Sequence, residues 1–255
     1  MRYLFAHWPD VEKLIKTRGR AVILSDYDGT LTPIVDRPEL ALLPEKMRRL
    51  LNSLAHHPHF TLAIITGRAL EDIKKLVGVK GVYYAGNHGL EIEGPGLTLR
   101  HPSALAARPV IAQICRELRS RLSRVPGVMV EDKGLSASLH YRLVSREKIP
   151  SVKRALLQVT RGFGEVKITE GKKVFEIRPD VAWDKGAAVR WLLKAMKNSG
   201  FPIYLGDDQT DEDAFKALDD GVTILVAARR RPSKAKFFVR GVPEVQEFFR
   251  RLAGL

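Results

Sequence analysis

Two aspartates two positions apart, Asp26 and Asp28, close the run Ala21-Val22-Ile23-Leu24-Ser25 and lead into Gly29 and Thr30. The apolar run reads as a strand buried on both faces, as in the middle of a parallel sheet. Residues i and i+2 of a strand share a face. A strand that continues to Asp28 would therefore converge both carboxylates at its C-terminal end, where open α/β sheets place their ligands. Close carboxylates repel unless a cation or a shared proton holds them. A hard divalent cation such as Mg²⁺, which prefers oxygen ligands, would do so. One carboxylate is then available as a nucleophile of the kind that forms an aspartyl-phosphate. An ordinary Asp-Gly turn at a strand end accounts for the same residues without chemistry.

Three more stretches offer suitable groups. Thr66, in Ile64-Ile65-Thr66-Gly67-Arg68, stands where a strand pattern gives way to a helix. Its hydroxyl and the nearby N–H groups can hold a phosphate oxygen, or the threonine can act only as a helix N-cap. Lys185, in Trp183-Asp184-Lys185-Gly186, falls in the first turn of an amphipathic helix. The helix dipole disfavours a cation there, so either an anionic partner lies nearby or the lysine is solvated. Asp207, Asp208, Asp211, Glu212 and Asp213 crowd past the strand pattern ending at Leu205-Gly206. That density of like charge suggests a metal, although some of these acids must cap a helix, Asp211 in particular.

The elements that would carry these groups alternate. Strands are expected at 21–25, 61–66 and 81–85, with helices at 44–56 and 69–76 between them. This rhythm indicates a parallel sheet wrapped by helices. After Asn87 the pattern changes. Residues 90–92 and 97–100 flank Glu93-Gly94-Pro95-Gly96, a hairpin signal. Helix 103–123, strands 128–131 and 136–141, helix 148–162 and strands 165–169 and 174–177 then suggest a small α+β module with its own sheet. The first rhythm resumes with helix 185–197, strand 203–205, helix 211–217 and strand 222–226. The expected architecture is thus α/β: a Rossmann-like core of residues 1–101 and 180–255, with an α+β cap of residues 102–179 inserted into it.

At 255 residues, 45% hydrophobic and 28% charged, the chain is long enough for a substantial core. A single cysteine, Cys115, excludes an intrachain disulfide, and its apolar-periodic neighbourhood marks a packing thiol. The first twenty residues are amphipathic and lack the continuous apolar core of a signal peptide. No stretch is long enough to span a bilayer, so a cytoplasmic protein with no membrane partner is expected. The net charge of +14 raises the question of nucleic acid. The basic residues are, however, dispersed and interleaved with acids, the tight runs being Lys172-Lys173 and Arg229-Arg230-Arg231. No nucleic-acid module accompanies them, and a positive field also attracts phosphorylated small molecules.

Taken in order, the four sites resemble the haloacid-dehalogenase-like (HAD-like) phosphohydrolase superfamily, whose pattern is Asp-x-Asp-Gly-Thr, a Ser/Thr, a Lys and a late acidic pair. Asp26–Ile34, Thr66-Gly67-Arg68, Gly86-Asn87-His88-Gly89-Leu90-Glu91 and Gly206–Asp213 are similar to the trehalose-6-phosphate phosphatase family. So are Glu131–Ser136, His140-Tyr141-Arg142, and Glu176–Pro179 ahead of Asp184-Lys185-Gly186. The resemblance implies a HAD-like core and a Mg²⁺-dependent hydrolysis of trehalose 6-phosphate, the last step of trehalose biosynthesis. Asp26 would be the nucleophile and Asp28 the acid and then base. The metal would lie on Asp26, the Asp28 carbonyl and Asp207, with Asp208 or Asp211 as ligand or support. Thr66 and Lys185 would bind the phosphoryl oxygens. Gly67, Arg68, Asn87 and His88 would line the core side, with His88 equally able to be structural. Glu131, Lys133 and Glu176 of the cap, a lid over the sugar, would contact its hydroxyls. The resemblance also leaves room for a related phosphatase of sucrose-phosphate or mannosyl-phosphoglycerate, and for a regulatory partner of a trehalose-6-phosphate synthase. A monomer acting on a small molecule is the expected working form.

Overall fold

The protein is described by a computed structural model over residues 1–196 and 200–255. It divides into two compact units, Met1–Leu99 with Trp183–Leu255, and Arg100–Ala182. Along the chain lie β1 (Arg2–Tyr3), β2 (Ala21–Ser25), β3 (Phe60–Ile65), β4 (Tyr83–Gly86), β5 (Glu91–Gly94) and β6 (Leu97–Arg100). The second unit contributes β7 (Met129–Asp132), β8 (Ala137–His140), β9 (Val166–Gly171) and β10 (Val174–Pro179). The chain then returns through β11 (Phe201–Gly206), β12 (Val222–Val226) and β13 (Phe237–Val239).

The first sheet runs β1-β13-β12-β11-β2-β3-β4-β5-β6, parallel from β1 through β4 and antiparallel between β4 and β5. Its central strands are buried on both faces, which is why β2 reads as an unbroken apolar run. Ala21 and Ile23 join one core with helices Trp8–Arg18, Glu45–Ala55, Leu70–Val77 and Val242–Leu252. Val22 and Leu24 join the other, with helices Lys185–Ala195 and Asp211–Ala217. The result is a three-layer α/β/α sandwich.

The second unit is an antiparallel sheet in the order β7-β8-β10-β9. Helices Arg108–Leu122 and Ile149–Thr160 pack on one face, against Leu139, Phe175 and Ile177. Cys115 belongs to that core, and burial pushes its thiol up to about 11, as expected of a packing residue.

Most expected elements appear within a residue or two of their expected ends. One expectation fails: the continuous helix 103–123 is split into Pro102–Ala106 and Arg108–Leu122. Pro109 lacks an N–H and its ring crowds the preceding backbone, so the second helix starts afresh with the proline in its first turn. Two short edge strands, β1 and β13, escaped the sequence reading, although they pair in parallel with each other. The last residue of the helix expected at 185–197 lies outside the described residues. No helix among the described residues is long and apolar enough to cross a membrane.

Candidate active site

Four neighbouring parallel strands, β11, β2, β3 and β4, each present a candidate side chain at the residue just past their C-terminal ends. These are Asp207, Asp26, Thr66 and Asn87. The backbone ladder fixes two of them directly. The Asp26 amide donates to the Leu205 carbonyl at 2.9 Å, and the Thr66 amide to the Ala85 carbonyl at 2.9 Å. Lys185, the first residue of helix Lys185–Ala195, reaches the same edge, its helix capped by Asp184, which accepts from the Ala187 amide at 2.7 Å. The anionic partner expected for a lysine in that turn is present. Its Nζ donates to Asp26 Oδ1 and to Asp211 Oδ1, both at 2.7 Å.

Asp211 differs from both readings of its sequence. It does not cap its own helix, whose N-cap is Thr210. Its Oδ2 accepts from the amides of Asp207 and Asp208, each at 2.9 Å, while Oδ1 accepts from Lys185 and from the Tyr204 hydroxyl at 2.8 Å. With both oxygens engaged twice, Asp211 organises the loop and the lysine. Gly206 makes this approach possible, since a Cβ there would collide with the Asp211 carboxylate. Asp208 accepts from the Gln209 amide at 2.8 Å and stands outside the buried cluster.

The expectation that the carboxylates of Asp26 and Asp28 converge along one strand does not hold. The strand ends at Ser25, and the chain turns through Gly29 at φ +84°. The Asp207 carboxylate occupies the space a Cβ on Gly29 would need. The Asp28 carboxylate is instead gripped by Arg68, Nε to Oδ2 at 2.7 Å and Nη2 to Oδ1 at 2.8 Å. The same guanidinium donates to Asp72 Oδ2 at 3.0 Å and to the Pro38 carbonyl at 2.8 Å, and sits over the Tyr27 ring. Thr66 is no N-cap either, because helix Leu70–Val77 begins four residues later behind Ala69; its hydroxyl accepts from the Arg68 amide at 3.3 Å. Asn87 and His88 both adopt positive φ, 50° and 57°, and the His88 ring packs where Gly67 has no side chain. Such backbone is uncommon for non-glycine residues and gathers at functional sites. Asn87 Nδ2 donates to Glu91 Oε1 at 2.8 Å.

In the second unit, register lines up Glu131, Ser138, Glu176 and Thr169 across β7, β8, β10 and β9. This polar row lies on the face opposite Ala137, Leu139, Phe175 and Ile177, which enter the core. Glu176 accepts from Ser138 Oγ at 2.8 Å and from Lys133 Nζ at 3.2 Å. Glu131 Oε2 lies 2.8 Å from His140 Nε2. The three cap residues expected to act together therefore share one row or its margin.

The family profile described as trehalose-phosphatase matches residues 24–243. The chain belongs to the trehalose-phosphatase family. It is 36% identical over 261 residues to trehalose 6-phosphate phosphatase RA3 of Zea mays, covering 94% of this chain and 72% of that protein. It is 38% identical over 254 residues to probable trehalose-phosphate phosphatase I of Arabidopsis thaliana, covering 92% and 68%. The structure of a trehalose-6-phosphate phosphatase-related protein superposes with a TM-score of 0.82 at 29% identity, covering 91% of this chain and 97% of that one. The protein is a phosphatase with a haloacid-dehalogenase-like fold.

The phosphatase centre carries unbalanced charge. Asp26, Asp207 and Asp211 bring carboxylate oxygens within 4.8 Å of one another, and Lys185 is the cation paired within that group. Burial, together with the nearby Asp211 and Asp207, pushes the Asp26 carboxyl well above its usual range against the pull of Lys185. Burial would lower Lys185, but Asp211 and Asp26 outweigh it and raise it. Arg68 likewise stays charged, since its hydrogen bonds to Asp28 and Asp72 overcome desolvation. A hard divalent cation suits this oxygen donor set. Asp211 is already committed, so the ligands left are Asp26 and Asp207. Arg231 braces the latter, donating to the Asp207 carbonyl at 3.3 Å and pairing with Glu212 at 3.2 Å. Sequence reasoning passed over Tyr204, Asp72 and Ser138. The first lies inside an apolar strand, and the others are common residue types whose partners are 40 or so positions away or on another strand.

Proposed function

We propose that this phosphatase hydrolyses trehalose 6-phosphate to trehalose and phosphate through an aspartyl-phosphate on Asp26, with Mg²⁺ as cofactor. The observation that supports it is the buried Asp26–Lys185–Asp211 group beside Asp207 at the C-terminal edge of a family-matched sheet. Asp26, Asp207 and the Asp28 carbonyl would hold the metal, which would neutralise charge between nucleophile and phosphate. Asp26 attacks phosphorus, and the phosphorus–sugar oxygen bond breaks as Asp28 gives its proton to the departing oxygen. Asp28 then takes a proton from water as that water attacks phosphorus and releases Asp26. Lys185 and Thr66 supply electrostatic stabilisation to the phosphoryl oxygens. The row of Glu131, Ser138 and Glu176 with Lys133 and His140 is the part suited to reading neutral sugar hydroxyls, since its charges are already paired. The buried Cys115 thiol fits a cytoplasmic setting.

Phosphate release across a panel of sugar phosphates, with Mg²⁺ and with excess chelator, tests the reading. Trehalose 6-phosphate should be the preferred substrate and chelation should remove activity. Preference for sucrose-phosphate or mannosyl-phosphoglycerate would overturn the substrate, and full activity in chelator would overturn the metal.

A further inference from the structure

Arg68 spends four hydrogen bonds within the protein, two on Asp28, one on Asp72 and one on the Pro38 carbonyl. An arginine fork presents its donors in one rigid plane, and a bidentate pair fixes the orientation of the carboxylate that accepts it. Asp28 stands on a turn outside the sheet, so no ladder sets its direction as it does for Asp26. The plane of its carboxylate is set by Arg68. Arg68 in turn is gripped at its other edge by Asp72, one turn further along on helix Leu70–Val77. Arg68 is buried, whereas Asp72 is about half exposed and touches none of the reacting groups.

We propose that Asp72 is a positioning residue: it holds the Arg68 fork so that Arg68 aims the Asp28 carboxylate at the leaving-group oxygen. The inference rests on the reading of Asp28 as the group that protonates the sugar oxygen. Because it concerns direction rather than charge, it predicts a dependence on the leaving group. A sugar alkoxide cannot depart without a proton, so a misaimed Asp28 slows its release. A p-nitrophenolate leaves as an anion and needs none. The other carboxylate in that turn, Glu71, pairs outward with Lys74 at 3.3 Å and provides a matched control of equal charge change.

The experiment measures the first-turnover release of sugar from trehalose 6-phosphate and of p-nitrophenolate from p-nitrophenyl phosphate, with Mg²⁺. Variants are Asp72→Asn, Glu71→Gln, Arg68→Lys and the Asp72→Asn/Arg68→Lys double. Asp72→Asn should slow sugar release about 5-fold and nitrophenolate release less than about 2-fold, a modest part of the ~10²–10⁴ that a positioned acid supplies. Glu71→Gln should change neither. Arg68→Lys should slow sugar release by ~10²-fold, since a lysine cannot reproduce the fork, and adding Asp72→Asn to it should cost nothing more. A readout independent of turnover is the exchange of the Arg68 Nε–H with solvent, slow in the wild type and faster in Asp72→Asn. Equal slowing of both substrates, an effect of Glu71→Gln as large as that of Asp72→Asn, or full additivity in the double variant would overturn the proposal. Wild-type protein inactive on trehalose 6-phosphate would instead overturn the substrate assignment, and the Nε–H exchange would still test the grip of Asp72 on Arg68.

Discussion

The two units each gather acidic side chains, and they treat the charge in opposite ways. In the first, Asp26, Asp207 and Asp211 are buried around Lys185, leaving negative charge in excess. In the second, Glu176 has Lys133 and Glu131 has His140, one base to each acid. Buried like charges are costly unless a counter-charge arrives. The first arrangement is therefore incomplete without a cation and suits charged chemistry. The second is complete in itself and offers oriented donors and acceptors to an uncharged ligand. Acid count alone would have made the two look alike.

The comparison can be broken most forcefully at Asp26. Asp26→Asn should lower trehalose 6-phosphate turnover by at least ~10³-fold, because no neighbouring carboxylate can take over as nucleophile: Asp211 is held by four hydrogen bonds and Asp28 by Arg68. Near-normal phosphate release by the folded variant would refute the assignment. The balanced unit is probed by Glu176→Ala. Removing it leaves Lys133 and Ser138 without their acceptor and should reduce kcat/KM for trehalose 6-phosphate by ~10²-fold, given ~1.4 kcal/mol per decade. A small aryl phosphate should be cleaved almost as before; equal loss on both substrates would make Glu176 a structural residue. Smaller still is the thermodynamic signature of the excess charge. Mg²⁺ at ten times its dissociation constant should stabilise the fold by about 1.4 kcal/mol and raise the thermal midpoint. Asp207→Asn should abolish that rise and Glu176→Gln should preserve it. A rise that survives Asp207→Asn would place the ion elsewhere.

The smallest expected effect is on pH. Burial would raise the Glu131 carboxyl, but its hydrogen bond to His140 and the charge of Lys133, opposed by Glu176, leave it below its usual value of 4.5. The folded protein thus holds this proton less tightly than the unfolded chain. Its contribution is present above the unfolded value and is lost as the pH falls through the folded one. Urea midpoints measured downward from pH 6 should decline less steeply for Glu131→Gln than for the wild type. Identical slopes would show that this pair adds nothing to stability.

The sequence carried the core motifs well because each is local. β2, helix Asp211–Ala217 and β12 have the expected bounds, and Lys185 was placed in its first turn from spacing alone. What escaped it was direction and partnership. Asp28 faces Arg68 because the strand stops three residues earlier, a length that the apolar run does not encode. Arg68, Asp28 and Asp72 meet across 40 positions of chain, and the row through Glu131, Ser138 and Glu176 exists only once three strands are in register. β1 and β13 were missed because two or three residues at a sheet edge carry too little periodicity to detect.

The delivery of Asp207, Asp26, Thr66 and Asn87 by the residue just past four adjacent strands makes the site an accounting of parity. Side chains alternate across a sheet, so one residue added to or removed from β11, β2, β3 or β4 would send its terminal group to the opposite layer. The turns entering the opposite edge, such as Gly19-Arg20 before β2 and His57–His59 before β3, carry no such constraint. Length variation over time should therefore accumulate at that edge, leaving the strands that end at the active site fixed in length even where their apolar residues are exchanged.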